Sequence, residues 1–149
     1  YGVMHRNTFI NAPSLLDSNL RFRPEIGARW SVPVHVAGQL AGTEGYCEAI
    51  RSGLHAALAV AAELLGEKPL PLPGDTAFGA LMCYATDPQT TGYQPMHVNF
   101  GIMRPLDERI RNKRERYAAY ARRGAEALAG YCCQLRQCGL LPAEKGGER

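Results

Sequence analysis

Apolar residues fall along this chain with spacings that change from one segment to the next. From Tyr46 to Leu65 they cover most of a helix circumference, with small residues at Gly53, Ala56, Ala57 and Ala61. That pattern predicts a buried helix lying close against a sheet. Gly66 supplies a natural C-cap, and Pro69, Pro71 and Pro73 prevent the helix from continuing. Upstream, Val32, Val34 and Val36 alternate with other residues at the period of one sheet face, which predicts a buried strand ending at Gly38. Gly38, Gly42 and Gly45 lie between the two. Strand, glycine turn and buried helix in that order predict an α/β fold.

The flanking segments are less regular. Residues 1–30 alternate short apolar runs with the breakers Asn11-Ala-Pro13, Asp17-Ser-Asn19 and Pro24, and read as short strands and loops. Asp75 or Thr76 caps a short helix to about Tyr84, which Asp87-Pro88 ends. Residues 88–106 read as a long loop, of a kind that is functional or mobile. A last helix is expected from about Pro105 to Gln137, with a frayed tail from Gly139. The resulting division is 1–104, 105–138 and 139–149.

Composition narrows the class. The chain has 149 residues, 46% hydrophobic and 21% charged, which is one ordinary globular domain's worth of sequence. It opens on Tyr1-Gly-Val-Met4, which reads like the inside of a strand and suggests a truncated parent protein. No apolar run is long enough to span a membrane, and no signal peptide is visible. Five cysteines without disulfide-framework spacing (Cys47, Cys83, Cys132, Cys133 and Cys138) suit reduced thiols in a cytoplasmic protein. Neither the cysteines nor the four histidines have metal-ligand spacing, so no metal is expected. Between Arg104 and Arg136 nine Arg and Lys face four Asp and Glu, a local charge of +5 in a chain of +3 overall.

A glycine-rich turn opening a helix lets the backbone approach a ligand closely, and the free N–H groups at the helix start favour negative charge. A phosphate suits such a turn, and so does the pyrimidine edge of a reduced flavin. A plain tight turn packing a helix on a sheet has the same residues. The spacing here differs from the G-x-G-x-x-G dinucleotide fingerprint, which occurs nowhere in the chain.

Three segments together resemble the TrmFO family of folate- and FAD-dependent tRNA (uracil-5-)-methyltransferases: Tyr1 to Asn11, Ala37 to Glu48, and Gln94 to Gly101 leading into Lys113-Arg-Glu-Arg116. Thr76-Ala-Phe-Gly-Ala-Leu81 points the same way. The second segment is also similar to GidA-type enzymes, whereas the first and third are similar to TrmFO alone. Cys47 and Ile50-Arg51 stand where the family's flavin helix carries small residues.

The resemblance implies a FAD-binding α/β protein of the glutathione-reductase type. Residues 1–104 would be the C-terminal half of its FAD-binding domain and residues 105–138 a basic helical extension. The implied reaction moves a one-carbon unit from methylenetetrahydrofolate, through FAD reduced by NAD(P)H, to C5 of the T-loop uridine of tRNA. By the same resemblance Gly38, Gln39, Gly42, Thr43, Gly45 and Tyr46 bind the flavin, and His5 and Tyr46 the folate. The family's catalytic cysteines lie upstream, in an N-terminal portion of the parent, so none of the residues here is expected to be catalytic. The charge of the last helix makes Arg109, Lys113, Arg116, Arg122 and Arg123 candidates for tRNA phosphates. A relative acting on ribosomal RNA or another uridine is an alternative, and so is a non-catalytic RNA-binding module.

Overall fold

A computed structural model of the chain describes residues 8–143; His5, expected at the folate, lies outside them. Five helices follow one another: α1 (Ala12–Leu15), α2 (Pro24–Gly27), α3 (Tyr46–Leu64), α4 (Ala77–Thr86) and α5 (Lys113–Gln137), with a 3-10 turn at Gly38–Ala41. α1 packs on α4, and α3 on the 3-10 turn. The core joins Ala12, Leu16 and Leu20 to Leu81, Met82 and Ala85 of α4 and to Tyr131 and Leu135 near the end of α5.

The strand expected at 32–38 does not form, and the described residues contain only isolated bridges, among them Arg21 with His35. Two backbone bonds flank that bridge, from the Phe22 N–H to the Val34 carbonyl (3.0 Å) and from the Val36 N–H to the Leu20 carbonyl (2.9 Å). Pro33 has no N–H to lengthen the ladder, and Val32 is 63% exposed. The partner segment is itself a tight turn. Asp17 Oδ1 accepts from the Asn19 and Arg21 N–H groups at 2.8 and 3.1 Å, and Leu20 between them sits at φ 61°.

α3 keeps the expected length, and its end follows the expected chemistry. The Gly66 N–H bonds the Glu63 carbonyl and the Glu67 N–H the Ala62 carbonyl, a Schellman cap with Gly66 at φ 75°. Its burial corrects the expectation. Only one side is covered, by Glu48, Ser52, His55, Ala56, Ala59 and Ala62. Tyr46, Ile50 and Leu54 face outward.

α4 is capped by Thr76, whose Oγ1 accepts from the Gly79 N–H (2.9 Å) and donates to the Pro73 carbonyl (2.8 Å). The basic helix starts eight residues later than Pro105. Asn112 Oδ1 accepts from the Arg114 and Glu115 N–H groups at 2.9 and 3.3 Å, so the first turn is fixed there and Arg109 falls in the preceding loop. At the far end Gly139 (φ 71°) makes a second Schellman cap, and Leu140 and Leu141 return to the core rather than fraying.

Two consequences are measurable. Replacing a helical Gly by Ala usually stabilises by about 1 kcal/mol. At Gly79 the sign reverses, because a Cβ there would overlap the Pro73 carbonyl and the Thr76 hydroxyl. Gly79→Ala is expected to cost about 1–3 kcal/mol in a urea melt. The second concerns His55, which is 1% exposed and donates Nε2–H to the Ser18 carbonyl at 2.9 Å, while its Nδ1 has no hydrogen-bond partner. Burial lowers its pKa below 6.5, and burial likewise lowers that of His35. The unfolded chain therefore binds protons first, and stability present above about pH 6.5 is lost as pH falls through the depressed folded pKa. The urea midpoint should drop between about pH 7.5 and about pH 5.5. His55→Gln should leave only the share due to His35.

Candidate functional site

The glycine turn and the start of α3 line a concave groove of about 590 Å³, together with His97. Gln39, Thr43, Gly45 and Tyr46 of the expected set line it, whereas Gly38 and Gly42 belong to the same turn but do not line the groove. The turn is held by side-chain hydroxyls. The Ser52 hydroxyl accepts from the Gly38 N–H (2.8 Å) and donates to the Ala49 carbonyl (2.8 Å). The Thr43 hydroxyl donates to the Gly38 carbonyl at 2.9 Å.

Glycine is required at two points. Gly42 has φ 81°, and a Cβ on it would overlap the ring of Tyr93. The Tyr93 hydroxyl donates to the Gly42 carbonyl at 2.7 Å. Burial pushes the pKa of this phenol up to about 12, with the neighbouring Tyr84 adding to the shift, so it remains a donor at neutral pH. Gly45 has φ 103°, and a Cβ there would overlap the Glu48 carboxylate and crowd the His97 ring. Gly45 is also the N-cap of α3 and has no side chain to cap it, which leaves the first-turn N–H groups without a side-chain acceptor from the cap. Tyr46 stands at the mouth, 93% exposed.

Five groove residues lie outside the expected set, Glu44, Cys47, Glu48, Ala49 and His97, and of these Glu48 and His97 meet each other. Glu48 is buried in the first turn of α3; its Oε1 accepts from the Val98 N–H at 3.2 Å and lies 3.8 Å from His97 Nδ1. His97 arrives from the long loop. The Glu44 N–H bonds the Met96 carbonyl (3.2 Å) and the Met96 N–H the Gly42 carbonyl (3.1 Å), so residues 96–98 run beside the turn. No local signal marks this pairing, which joins residues about fifty positions apart.

The basic candidates are not equivalent. Lys113 and Arg122 are exposed on α5, and Arg109 is exposed in the loop before it. Arg116 is half-buried, and its Nη1 lies 3.4 Å from the Ile110 carbonyl. Arg123 is turned inward. It donates to the carbonyls of Pro105 (2.9 Å) and Arg104 (2.7 Å), and its Nε lies 3.3 Å from Asp75 Oδ1. With a side chain 16% exposed, Arg123 clamps the middle of α5 to the start of α4.

The family model described as glucose inhibited division protein A matches residues 1–68. Among curated proteins, the methylenetetrahydrofolate–tRNA-(uracil-5-)-methyltransferase TrmFO of Bacillus pumilus is 44% identical over 128 residues, covering 86% of this chain and 28% of that protein. The TrmFO of Desulforudis audaxviator is 46% identical over 132 residues, covering 88% of this chain and 29% of the relative. That of Heliobacterium modesticaldum is 43% identical over 134 residues, covering 90% and 29%. The chain thus spans less than a third of the length of these relatives. Over 86–90% of its length the chain is similar to TrmFO proteins, and over residues 1–68 to the glucose inhibited division protein A family.

Proposed function

We propose that the chain is part of a flavin-dependent tRNA methyltransferase and that FAD binds along its glycine turn. The observation that carries this reading is a turn with Gly38, Gly42 and Gly45 all at positive φ, whose residues Gln39, Thr43, Gly45 and Tyr46 line one groove at the start of a long helix. Two features of the groove support a flavin edge there. Its backbone is bare where Gly45 replaces a side chain, and the uncapped first turn of α3 offers N–H groups to a partly anionic ring edge. Gln39 and Thr43 line the same space.

When bound, the flavin would carry a one-carbon unit from methylenetetrahydrofolate to C5 of a T-loop uridine, after reduction by NAD(P)H. The residues here bind and orient. Gly38 to Gly45 approach the ring system, and exposed Tyr46 offers an aromatic plane to a pterin. His5 is proposed for the same folate, and the catalytic cysteines for the remainder of a TrmFO-length protein. That remainder is also proposed to supply the pyrophosphate-binding half of the α/β flavin domain and to cover the outward Ile50 and Leu54. Residues 1–104 then belong to the flavin domain and residues 105–138 to a basic extension. Arg109, Lys113, Arg116 and Arg122 are proposed to meet tRNA phosphates.

Two measurements test this. The 149 residues alone should lose flavin on dialysis. A chimera placing them in the matching segment of the Bacillus pumilus relative should keep visible flavin absorbance. Gln39→Ala in that chimera, at an exposed groove residue, should weaken FAD about tenfold, equivalent to 1.4 kcal/mol, with the circular dichroism unchanged. A folded but colourless chimera overturns the flavin reading. For RNA, Lys113→Gln and Arg116→Gln should each weaken tRNA binding and lower its salt slope by about one unit. Arg123→Gln should lower the melting temperature instead. Weaker binding with an unchanged slope would refute phosphate contact by Lys113 and Arg116.

A further inference from the structure

A second cavity, about 580 Å³, opens beside the middle of α5, between Phe100 and Met103 of the loop and Tyr120, Gly124 and Leu128 of the helix. Its walls are mostly apolar, yet Phe100, Val98 and Leu128 are all substantially exposed. Phe100 stacks flat on Tyr117, with centroids 4.4 Å apart and planes 2° from parallel, and Tyr120 meets it at 5.2 Å and 58°. Tyr117 does not line the cavity, so Phe100 presents there the surface that Tyr117 leaves uncovered. The platform is rigidly mounted. The Val98 N–H is held by Glu48, and Asn99 Oδ1 accepts from the Gly101 N–H at 2.9 Å.

Cations stand beside the rings. Lys113 Nζ lies 5.5 Å and Arg116 Cζ 5.8 Å from the Tyr117 centroid. An adjacent cavity of about 660 Å³ is lined by Arg109, Arg111 and Arg116 together with Asp107 and Glu108, three cations against two carboxylates. Tyr120 lines both cavities, so an apolar slot and an arginine-lined one share a wall.

We propose that the apolar slot receives an unstacked base of the bound RNA, with the neighbouring phosphates in the arginine-lined cavity. The inference rests on the reading of α5 as an RNA-contacting helix and adds to it a base-stacking subsite. A flat aromatic surface beside cations is what a single-stranded base and its backbone require together. An aliphatic ligand or an apolar peptide segment would use the slot and gain nothing from the arginines. Stacking is indifferent to base identity, so the subsite selects unpaired nucleotides over paired ones.

The test compares two probes of equal length and charge by fluorescence anisotropy, an RNA stem–loop and a fully paired RNA duplex. The stem–loop should bind more tightly. Phe100→Ala should weaken it about tenfold, leaving the duplex affinity and both salt slopes unchanged, and Phe100→Tyr should restore binding. Ala121→Phe fills the slot from the exposed side of α5 and should reproduce the loss without removing Phe100. Lys113→Gln with Arg116→Gln should weaken both probes and flatten both slopes. Salt-dependent binding that ignores both Phe100→Ala and Ala121→Phe, or that falls equally for both probes, overturns the slot while RNA contact stands. No binding of either probe overturns both.

Discussion

The inner side of α3 holds this structure together through polar groups. Going down the helix, Glu48 receives the Val98 N–H, Ser52 the Gly38 N–H, His55 donates to the Ser18 carbonyl, and Glu63 pairs with Arg21 at 2.7 Å. Each bond ties a different irregular segment to the same rod. Residues spaced three or four apart share a helix face, so one row reaches loops that lie far apart in the chain. With no strand among the described residues, backbone groups in these loops need other partners, and this row supplies several of them. Removing Ser52 or His55 leaves a half-buried backbone group without its bond, a loss of about 1 kcal/mol, while the Glu63–Arg21 pair, 41% exposed at the arginine, contributes less.

A second clamp sets where α5 lies. Asp75 precedes the Thr76 cap of α4 and pairs with both Arg104 and Arg123, while Arg123 also takes the carbonyls of Arg104 and Pro105. The chain leaving the long loop is thereby fastened to the middle of α5. Gly124 sits where a Cβ would lie 3.4 Å from the Asp75 carbonyl, so the small residue after Arg123 keeps that approach close. A net positive helix thus assigns its arginines to two tasks, and burial separates them: Arg123 holds the fold, and Lys113 and Arg122 stay in solvent.

What the sequence disclosed followed from local chemistry. The Gly66 cap, the Thr76 cap and the glycine turn each depend on a few adjacent residues, and each is where the spacing predicts it. The errors have two sources, local residues that were weighed wrongly and distant partners that the sequence does not mark. Val32 to Val36 alternate like a strand, but pairing there stops at a single bridge because Pro33 and the Asp17 turn leave no ladder to extend. The apolar circumference of α3 implied burial all round, yet within this chain its polar row faces in and Tyr46, Ile50 and Leu54 face out. Asn112 set the start of the basic helix against the claim of Pro105, since two N–H groups captured by one side chain define a first turn better than a proline's fixed φ alone. At the groove, the glycines were legible and Glu48 with His97 were not, because their meeting depends on the loop at 93–98 folding back over the turn.

That loop reads as structureless and is in fact the connection between the two surfaces of interest. Tyr93 bonds the Gly42 carbonyl, Met96 pairs with Thr43, Val98 is held by Glu48, and Phe100 stacks on Tyr117. Within eight residues it is fixed to the glycine turn, to the first turn of α3 and to α5. Short tethers of this kind leave little freedom between the points they join, because each bond removes backbone entropy that a free loop would retain. The distance from the glycine turn to the aromatic platform is therefore set by a segment pinned at both ends. In the proposed enzyme, a ligand edge at Gly45 and an RNA base at Phe100 would be positioned relative to each other by His97, Val98 and Asn99, so the geometry between the two partners would depend on this loop more than on either helix.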